Sequence, residues 1–244
     1  MATQLFVLPG DTIDPKILPA HPNLPLKIGP GLRHTPPNTI SPTVAGKLCT
    51  DQRKNAVWVE YSGRRYIPTA GDLVIATIQK SAADVFYASL SDYTANASLP
   101  QLSFEGASRK TRPQLVPGAL VYARVSLANK HMDPELECVS SSTGKSEGLG
   151  PLVGGMLFSI SQVMARRLML PNPAEKGKVV ILDELGAASI AFEIAVGRNG
   201  KLWVDSKSVQ TTLGIGKAIQ EIDAKYLSVE QQKKLARKII KEIS

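Results

Sequence analysis

Cysteine is almost missing from this chain of 244 residues, which has two, Cys49 and Cys138. They lie far apart and show no C-x-x-C spacing, so a disulfide framework or a zinc site is not expected, and a reducing compartment fits. Histidine is as scarce. His21, His34 and His131 are the three, set in proline-rich or charged loops, and read as surface residues rather than metal ligands or acid–base groups. No apolar window approaches the ~20 residues of a membrane helix. The first ten residues lack a basic n-region and a long apolar run, so no signal peptide is expected. H-E-x-x-H and P-loop patterns are both missing, which removes the commonest zinc-hydrolase and nucleotidase readings. Acidic residues are missing from one long stretch, Gly106 through Met132.

What is present suits a soluble protein with a buried core: 43% hydrophobic and 20% charged residues. The formal charge of +8 and a sequence pI of about 9.5 favour a polyanionic partner. Nine of the 17 prolines fall at or before Pro42. Helices longer than a turn cannot form there. Residues 1–61 therefore read as a proline-rich β segment, with short strands at 43–48 and 56–61. Val57, Trp58 and Glu60 pattern as a half-buried strand. The apolar residues between the prolines predict an extended segment draped over a larger body.

Residues 62–146 read as all-β. A strand at 71–78 opens with a Gly-Asp turn, and 118–125 echoes it 47 positions later. Further short strands are expected at 84–90, 97–102 and 135–140. Five strands at this spacing predict a small barrel of the OB type. Alternation puts Leu73/Ile75 and Leu120/Tyr122 on one face, and Val74/Ala76/Ile78 and Val121/Ala123/Val125 on the other. The Gly/Ser-rich stretch 140–150 marks a domain boundary.

Residues 147–244 mix helix and strand. A strand is expected at 155–160. Ser161 can cap a helix over 162–170, ended by Pro171. Residues 178–185 read as helix or strand. A helix over 207–226 is amphipathic through Val209, Leu213, Ile219 and Ile222, with two glycines as weak points. Ser228 opens a last helix, with Gln231 placed for a capping box. Its expected buried stripe is Val229, Leu235, Ile239 and Ile243. Lys233, Lys234, Arg237, Lys238 and Lys241 load its later turns, where cations complement the helix dipole.

No catalytic constellation emerges. Asp133, Glu135 and Glu137 alternate on one strand, and Asp183 and Glu184 form a second acidic pair. Such rows can hold a divalent ion, but a solvated strand face is the plainer reading, and no metal is expected. The basic residues say more. Arg109, Lys110 and Arg112 lie on the loop entering the second echo strand, and Arg64-Arg65 stand at the barrel entrance. OB folds hold single strands with cations on phosphates and aromatics under bases. Phe86, Tyr87, Phe104 and Tyr122 are the available aromatics. Alternation lets either Phe86 or Tyr87 face outward, not both.

One further element is Gly197-Arg-Asn-Gly200. Its G-x-x-G spacing is that of the loop with which KH domains clamp a nucleic-acid backbone. Yet two strand-like runs, 192–196 and 201–204, flank it, and Asn199-Gly200 is a preferred pair for a tight turn with positive φ. Local physics favours a hairpin, with Gly197, Asn199 and Gly200 as structural turn residues that can also dock against the neighbouring domain.

Taken together the segments resemble the S1/KH cap subunits of the eukaryotic RNA exosome. The resemblance is carried by Leu8-Pro-Gly-Asp11, Gly29-Pro-Gly-Leu32, Arg65-Tyr-Ile-Pro68, Ala97-Ser-Leu-Pro100, Leu120-Val-Tyr-Ala-Arg-Val125 and Gly197-Arg-Asn-Gly-Lys-Leu-Trp-Val204. It spans essentially the whole chain, and matches poorly only at 171–185. It implies an N-terminal β segment, an S1-type five-stranded barrel and a KH-like α+β domain. It implies a non-catalytic subunit without cofactor or membrane anchor, seated on a hexameric ring of RNase PH-like proteins beside two other cap proteins. Its S1 domain would border the channel that feeds single-stranded RNA to an associated 3'-5' exonuclease. Nucleus and nucleolus, and also cytoplasm, are the implied locations. The family's basic S1 loop corresponds to 108–113, which carries RNA-facing cations over to Arg109, Lys110 and Arg112. Its Gly-x-Asn-Gly element is implied to be structural, near the contact of the two domains. The alternative is a free-standing single-strand RNA-binding S1/KH protein, and a nuclease built on the carboxylate row stands third.

Overall fold

The structure is a computed structural model that describes residues 5–20, 22, 24–52, 55–61, 63, 65–92, 94–129, 131–140, 142–170 and 179–243, without the side chains of the last two. The chain divides after Gly63 into two compact units.

The first unit contains β1 (Phe6–Val7), a single 3-10 turn (Pro15–Ile17), β2 (Lys27–Ile28), β3 (Leu32–Thr35), β4 (Thr39–Pro42), β5 (Gly46–Asp51) and β6 (Ala56–Glu60). No helix longer than a turn interrupts it among the described residues, as its prolines require. One sheet has the order β1-β5-β6-β2, and β3 and β4 form a separate hairpin. Val7, Ile13, Ile40, Leu48, Val57 and Val59 pack into a core of their own. This corrects the expectation of a merely draped segment: the residues between the prolines turn their apolar side chains onto one another. In β6 the two valines are the inward residues, and Trp58 sits half-buried on the other face.

The second unit opens with the barrel. Its strands are β7 (Leu73–Ser81), β8 (Val85–Ser89), β9 (Ala97–Pro100), β10 (Leu120–Asn129) and β11 (Met132–Glu137). The order β11-β9-β8-β7-β10 closes through a β10–β11 pairing. The two echo strands are direct neighbours, with Tyr122 opposite Ile75 and Arg124 opposite Leu73. Alternation works as expected. Val74, Ala76, Ile78, Val121, Ala123 and Val125 fill the interior with Phe86, Leu99 and Leu136. A short β12 (Gly150–Leu152) adds to the outer side of β10.

The remainder holds β13 (Met156–Ser159), α1 (Gln162–Met169), α2 (Ile181–Ala187), β14 (Phe192–Gly197), β15 (Lys201–Ser206), α3 (Val209–Lys225) and α4 (Val229–Ile243). The sheet runs β13-β15-β14, all antiparallel. Helices cover it over a core that includes Phe158, Met164, Ile181, Leu185, Leu202, Ile215 and Ile219. Ser161 caps α1 by accepting from the Met164 N–H at 3.0 Å. The expected capping box of α4 is present, with Gln231 Oε1 accepting from Ser228 N at 2.9 Å. The ambiguous run around 181 is helical.

Three helix details differ from expectation. Val209 is 69% exposed, because the inward face of α3 begins at Thr211 and Thr212. Gly216, read as a weak point, is a packing requirement: a Cβ there would overlap the Phe158 ring. The buried stripe of α4 is centred on Gln232, Ala236 and Ile239, with Leu235 only half-buried. The Ile243 side chain lies outside the described residues. Gln232 fits the core because its amide accepts from Val180 N and donates to Leu227 O. Among the described residues no helix is long and apolar enough to cross a membrane.

Candidate nucleic-acid interface

The basic loop lies between β9 and β10 and is held in shape by two hydroxyls. Ser108 Oγ accepts from the N–H groups of Lys110 and Thr111, at 3.3 and 3.2 Å. Thr111 Oγ1 accepts from Ser108 N and donates to Gly106 O, both at 3.0 Å. The two hydroxyls meet at 2.8 Å. This knot leaves Arg109 and Lys110 exposed. Arg112 behaves differently: it is half-buried, and its Nη1 donates to Ala83 O in the β7–β8 turn at 3.0 Å. One of the three expected RNA-facing cations thus also ties the loop to the end of the barrel. Arg65 is exposed beside buried Tyr66, and Arg64 lies outside the described residues.

Of the four aromatics, Phe86 and Phe104 are interior and meet edge-on, their rings 6.5 Å apart. Tyr122 is half-buried, and its hydroxyl donates to Val196 O at 3.2 Å. Tyr87 is the outward member of its pair, with the Lys80 ammonium 4.5 Å from its ring centroid. Lys80 was missed by sequence reasoning, because a register shift between Ile78 and Lys80 breaks the simple alternation that would have paired it. The carboxylate row does not gather. Glu137 pairs with Arg124 at 3.8 Å, and among the described residues no three His, Cys, Asp or Glu side chains could share a metal ion. His34 and His131 are exposed, and His21 lies outside the described residues.

The Gly-x-x-Gly element is the tip of the β14–β15 hairpin. Gly197 pairs with Lys201, so the loop has three residues, Arg198 to Gly200. Gly200 takes φ +75° while Asn199 keeps a negative φ. This is a three-residue hairpin loop with its left-handed residue last, rather than a two-residue turn with both central residues at positive φ.

The tip closes on the barrel. β7 pairs with β8 only from Thr77 onward, and backbone groups of alternate residues point the same way. Leu73 and Ile75 therefore present N–H and C=O groups beyond the end of β8. The hairpin supplies their partners. Arg198 N donates to Leu73 O at 2.7 Å. Asn199 Oδ1 accepts from Ile75 N at 3.3 Å, and its Nδ2 donates to Ile75 O at 2.9 Å and to Leu90 O at 2.7 Å. One side-chain amide thus stands in for the missing stretch of strand. Around it, Ile75, Ala195 and Trp203 form a small buried cluster with Leu120, Tyr122 and Leu152. Asp72 accepts from Tyr66 OH at 2.9 Å and lies 3.5 Å from Arg198 Nε. Burial, with the Asp72 carboxylate beside it, pushes the Tyr66 hydroxyl far up from its ordinary range. Lys201 donates to Thr77 Oγ1 at 3.3 Å, and burial lowers its pKa.

The sequence does signal this junction. Leu73-Val-Ile-Ala-Thr-Ile78 is apolar nearly throughout, as a strand covered on both faces must be.

Comparison with known proteins follows the same divisions. Residues 66–150 match the model of the S1 domain of exosome complex component RRP40. Residues 26–65 match the exosome complex exonuclease Rrp40 N-terminal domain, and residues 155–210 match a KH domain. Exosome complex component RRP40 of Saccharomyces cerevisiae is 36% identical, over 98% of this chain and 96% of the relative. The rrp40 component of Schizosaccharomyces pombe is 37% identical, over 98% and 95%. Exosome complex component RRP40 of Homo sapiens is 31% identical, over 85% and 73%. A solved structure provisionally described as an exosome complex RNA-binding protein superposes with a TM-score of 0.55 at 23% identity, over 72% of this chain and 96% of that one, and so shares the fold.

Proposed function

This chain belongs to the RRP40 family of exosome complex components, and on that premise we propose that it is a non-catalytic RNA-binding cap subunit of an RNA exosome. It stabilises a ring of RNase PH-like subunits together with other S1/KH cap proteins, and guides single-stranded RNA toward an associated 3'-5' exonuclease, in the nucleus and nucleolus and also in the cytoplasm. The working division is a proline-rich β segment over 1–61, an S1-type domain over 62–146 and a KH-like domain over 147–244.

The observation that carries the RNA contact is the loop between β9 and β10. Arg109 and Lys110 are exposed on it, and no carboxylate occurs from Gly106 to Met132. A backbone-tracking contact needs cations in a place where no neighbouring acid neutralises them. Arg112 contributes charge while anchoring the loop, and Arg65 extends the basic surface. Tyr87 is the one barrel aromatic of the four that faces outward for stacking.

The description of the family matching 26–65 includes the word exonuclease. That stretch contains two carboxylates, Asp51 and Glu60. They sit at opposite ends of the β5–β6 hairpin, opposite Ala56 and Lys47 respectively, roughly 13 Å apart along the strand. A metal-assisted phosphodiester cleavage needs its carboxylates around one or two ions. This spacing supports the non-catalytic reading.

Arg109→Ala/Lys110→Ala in the full chain is expected to weaken single-stranded RNA binding. It should also flatten the slope of log affinity against log salt by about 1.4, at roughly 0.7 per phosphate contact. An unchanged slope would remove the loop from the interface. The unsubstituted chain should degrade no RNA with or without Mg²⁺, whereas hydrolysis abolished by changing Asp133 or Glu135 would overturn the reading. Gel filtration of native lysate separates the free-standing alternative, which predicts a small monomer.

A further inference from the structure

α4 places five cations, Lys233, Lys234, Arg237, Lys238 and Lys241, within nine positions. All five are exposed. At ~100° per residue, buried Gln232, Ala236 and Ile239 define one side of the helix, and Lys234, Arg237 and Lys241 form the crest opposite. Lys233 and Lys238 flank that crest, and each faces a neighbouring helix. Lys233 Nζ lies 3.5 Å from Glu184 on α2. Lys225, with Lys238 adding to it, holds the Glu221 carboxyl on α3 below its ordinary range. The crest cations have no such counterpart: among the described residues none of them forms an ion pair. Glu230 shares the crest one turn earlier, which leaves three cations against one acid there.

The usual grip of a KH domain on nucleic acid is a Gly-x-x-Gly loop. The one Gly-x-x-Gly of this KH-like domain is closed against the barrel. The sequence joining α1 and α2, the place where a KH clamp would stand, has a single glycine in Pro171-Asn-Pro-Ala-Glu-Lys-Gly-Lys178.

We propose that the crest of α4 is a second contact for the sugar–phosphate backbone of single-stranded RNA, separate from the barrel loop. The cations rise along the ridge in steps of about 4.5 and 6 Å, on a convex surface open to solvent. Among Glu230, Lys234, Arg237 and Lys241 there is no apolar or aromatic anchor. Protein interfaces centre on such anchors, whereas a phosphate backbone is held by charge alone. The observations therefore favour RNA over an acidic protein segment.

The test is Lys234→Gln/Arg237→Gln/Lys241→Gln in the full chain, read by fluorescence anisotropy with a labelled oligouridylate from about 0.05 to about 0.3 M salt. Three lost contacts predict up to ~100-fold weaker binding near 0.1 M and a slope flatter by about 2. Lys233→Gln, already paired, should change little. The charge-keeping Lys234→Arg/Lys241→Arg should bind as the parent does, which separates charge from folding. Unchanged affinity and slope in the triple variant overturn the proposal. So does intact RNA binding with lost co-sedimentation on purified ring subunits, which would give the ridge to an acidic protein. If Arg109→Ala/Lys110→Ala binds normally while the α4 variant is weakened, the loop reading falls and this one stands.

Discussion

Asn199 makes three hydrogen bonds with one buried amide, two donated and one accepted. Its neighbours are shaped to allow it: a Cβ on Gly197 would strike the Asn199 side chain, and one on Gly200 would press on Ile160 O. Gly200 also needs its left-handed φ, which costs any side-chain-bearing residue. Replacing Asn199 by Asp keeps the size but turns a donor toward two carbonyls into a carboxylate facing them. Leaving buried groups unsatisfied costs about 1–3 kcal/mol each. The Asp variant is expected to lose at least ~3 kcal/mol in urea unfolding, more than Asn199→Ala. Equal stability of Asp and Asn would show that the amide does not carry this junction. The sequence made the turn legible, because Asn-Gly is a local signal. The partners of Asn199 were not legible, since they are backbone atoms 124 and 109 positions away.

Elements were most readable where their causes are local. The Ser161 cap, the Ser228–Gln231 capping box and the alternation of the two echo strands all follow from spacing. Of the expected α4 stripe Ile239 is buried and Leu235 packs on the core, but Gln232 was missed because a buried glutamine looks polar until its partners on Val180 and Leu227 are known. Just past β11, Cys138 is buried in the barrel, where desolvation first and Glu137 second push its thiol up to about 12. Tyr66, at the foot of β7, is pushed up as well, by burial and Asp72. Both groups are held neutral by the fold. The stability they contribute is complete below the unfolded thiol value near 8.5. It declines as pH rises toward about 12, because the unfolded chain then releases protons that the folded chain keeps. The urea midpoint should therefore fall progressively above about pH 8.5, and less steeply in Cys138→Ala measured against its own neutral-pH value. A flat alkaline limb would contradict this origin.

At the scale of the molecule, the order of segments was legible because several motifs, each weak alone, occur in one sequence. That the barrel and KH-like domain share a buried cluster was only hinted at by an apolar strand with no polar face. Ile75 and Trp203 each gain about 1.5–3 kcal/mol from burial there, enough to couple the two folds. The chain has two tryptophans, Trp58 in the first unit and Trp203 at the junction. In a Trp58→Phe variant, Trp203 emission is expected to change in the same denaturant range as hydrogen exchange at barrel residue Val74. Two separated transitions would mean that the domains unfold independently.

The clasp also sets a timetable during synthesis. Ile75 leaves the ribosome 124 residues before the asparagine that completes its pairing. At about 5–20 residues per second, Ile75 waits roughly 6–25 seconds for its partner, and Leu120 and Tyr122 on the same outer face wait roughly 4–16 seconds for their cover. A translating ribosome that pauses before the hairpin would therefore display a closed barrel with one greasy wall, a natural client for holdase chaperones.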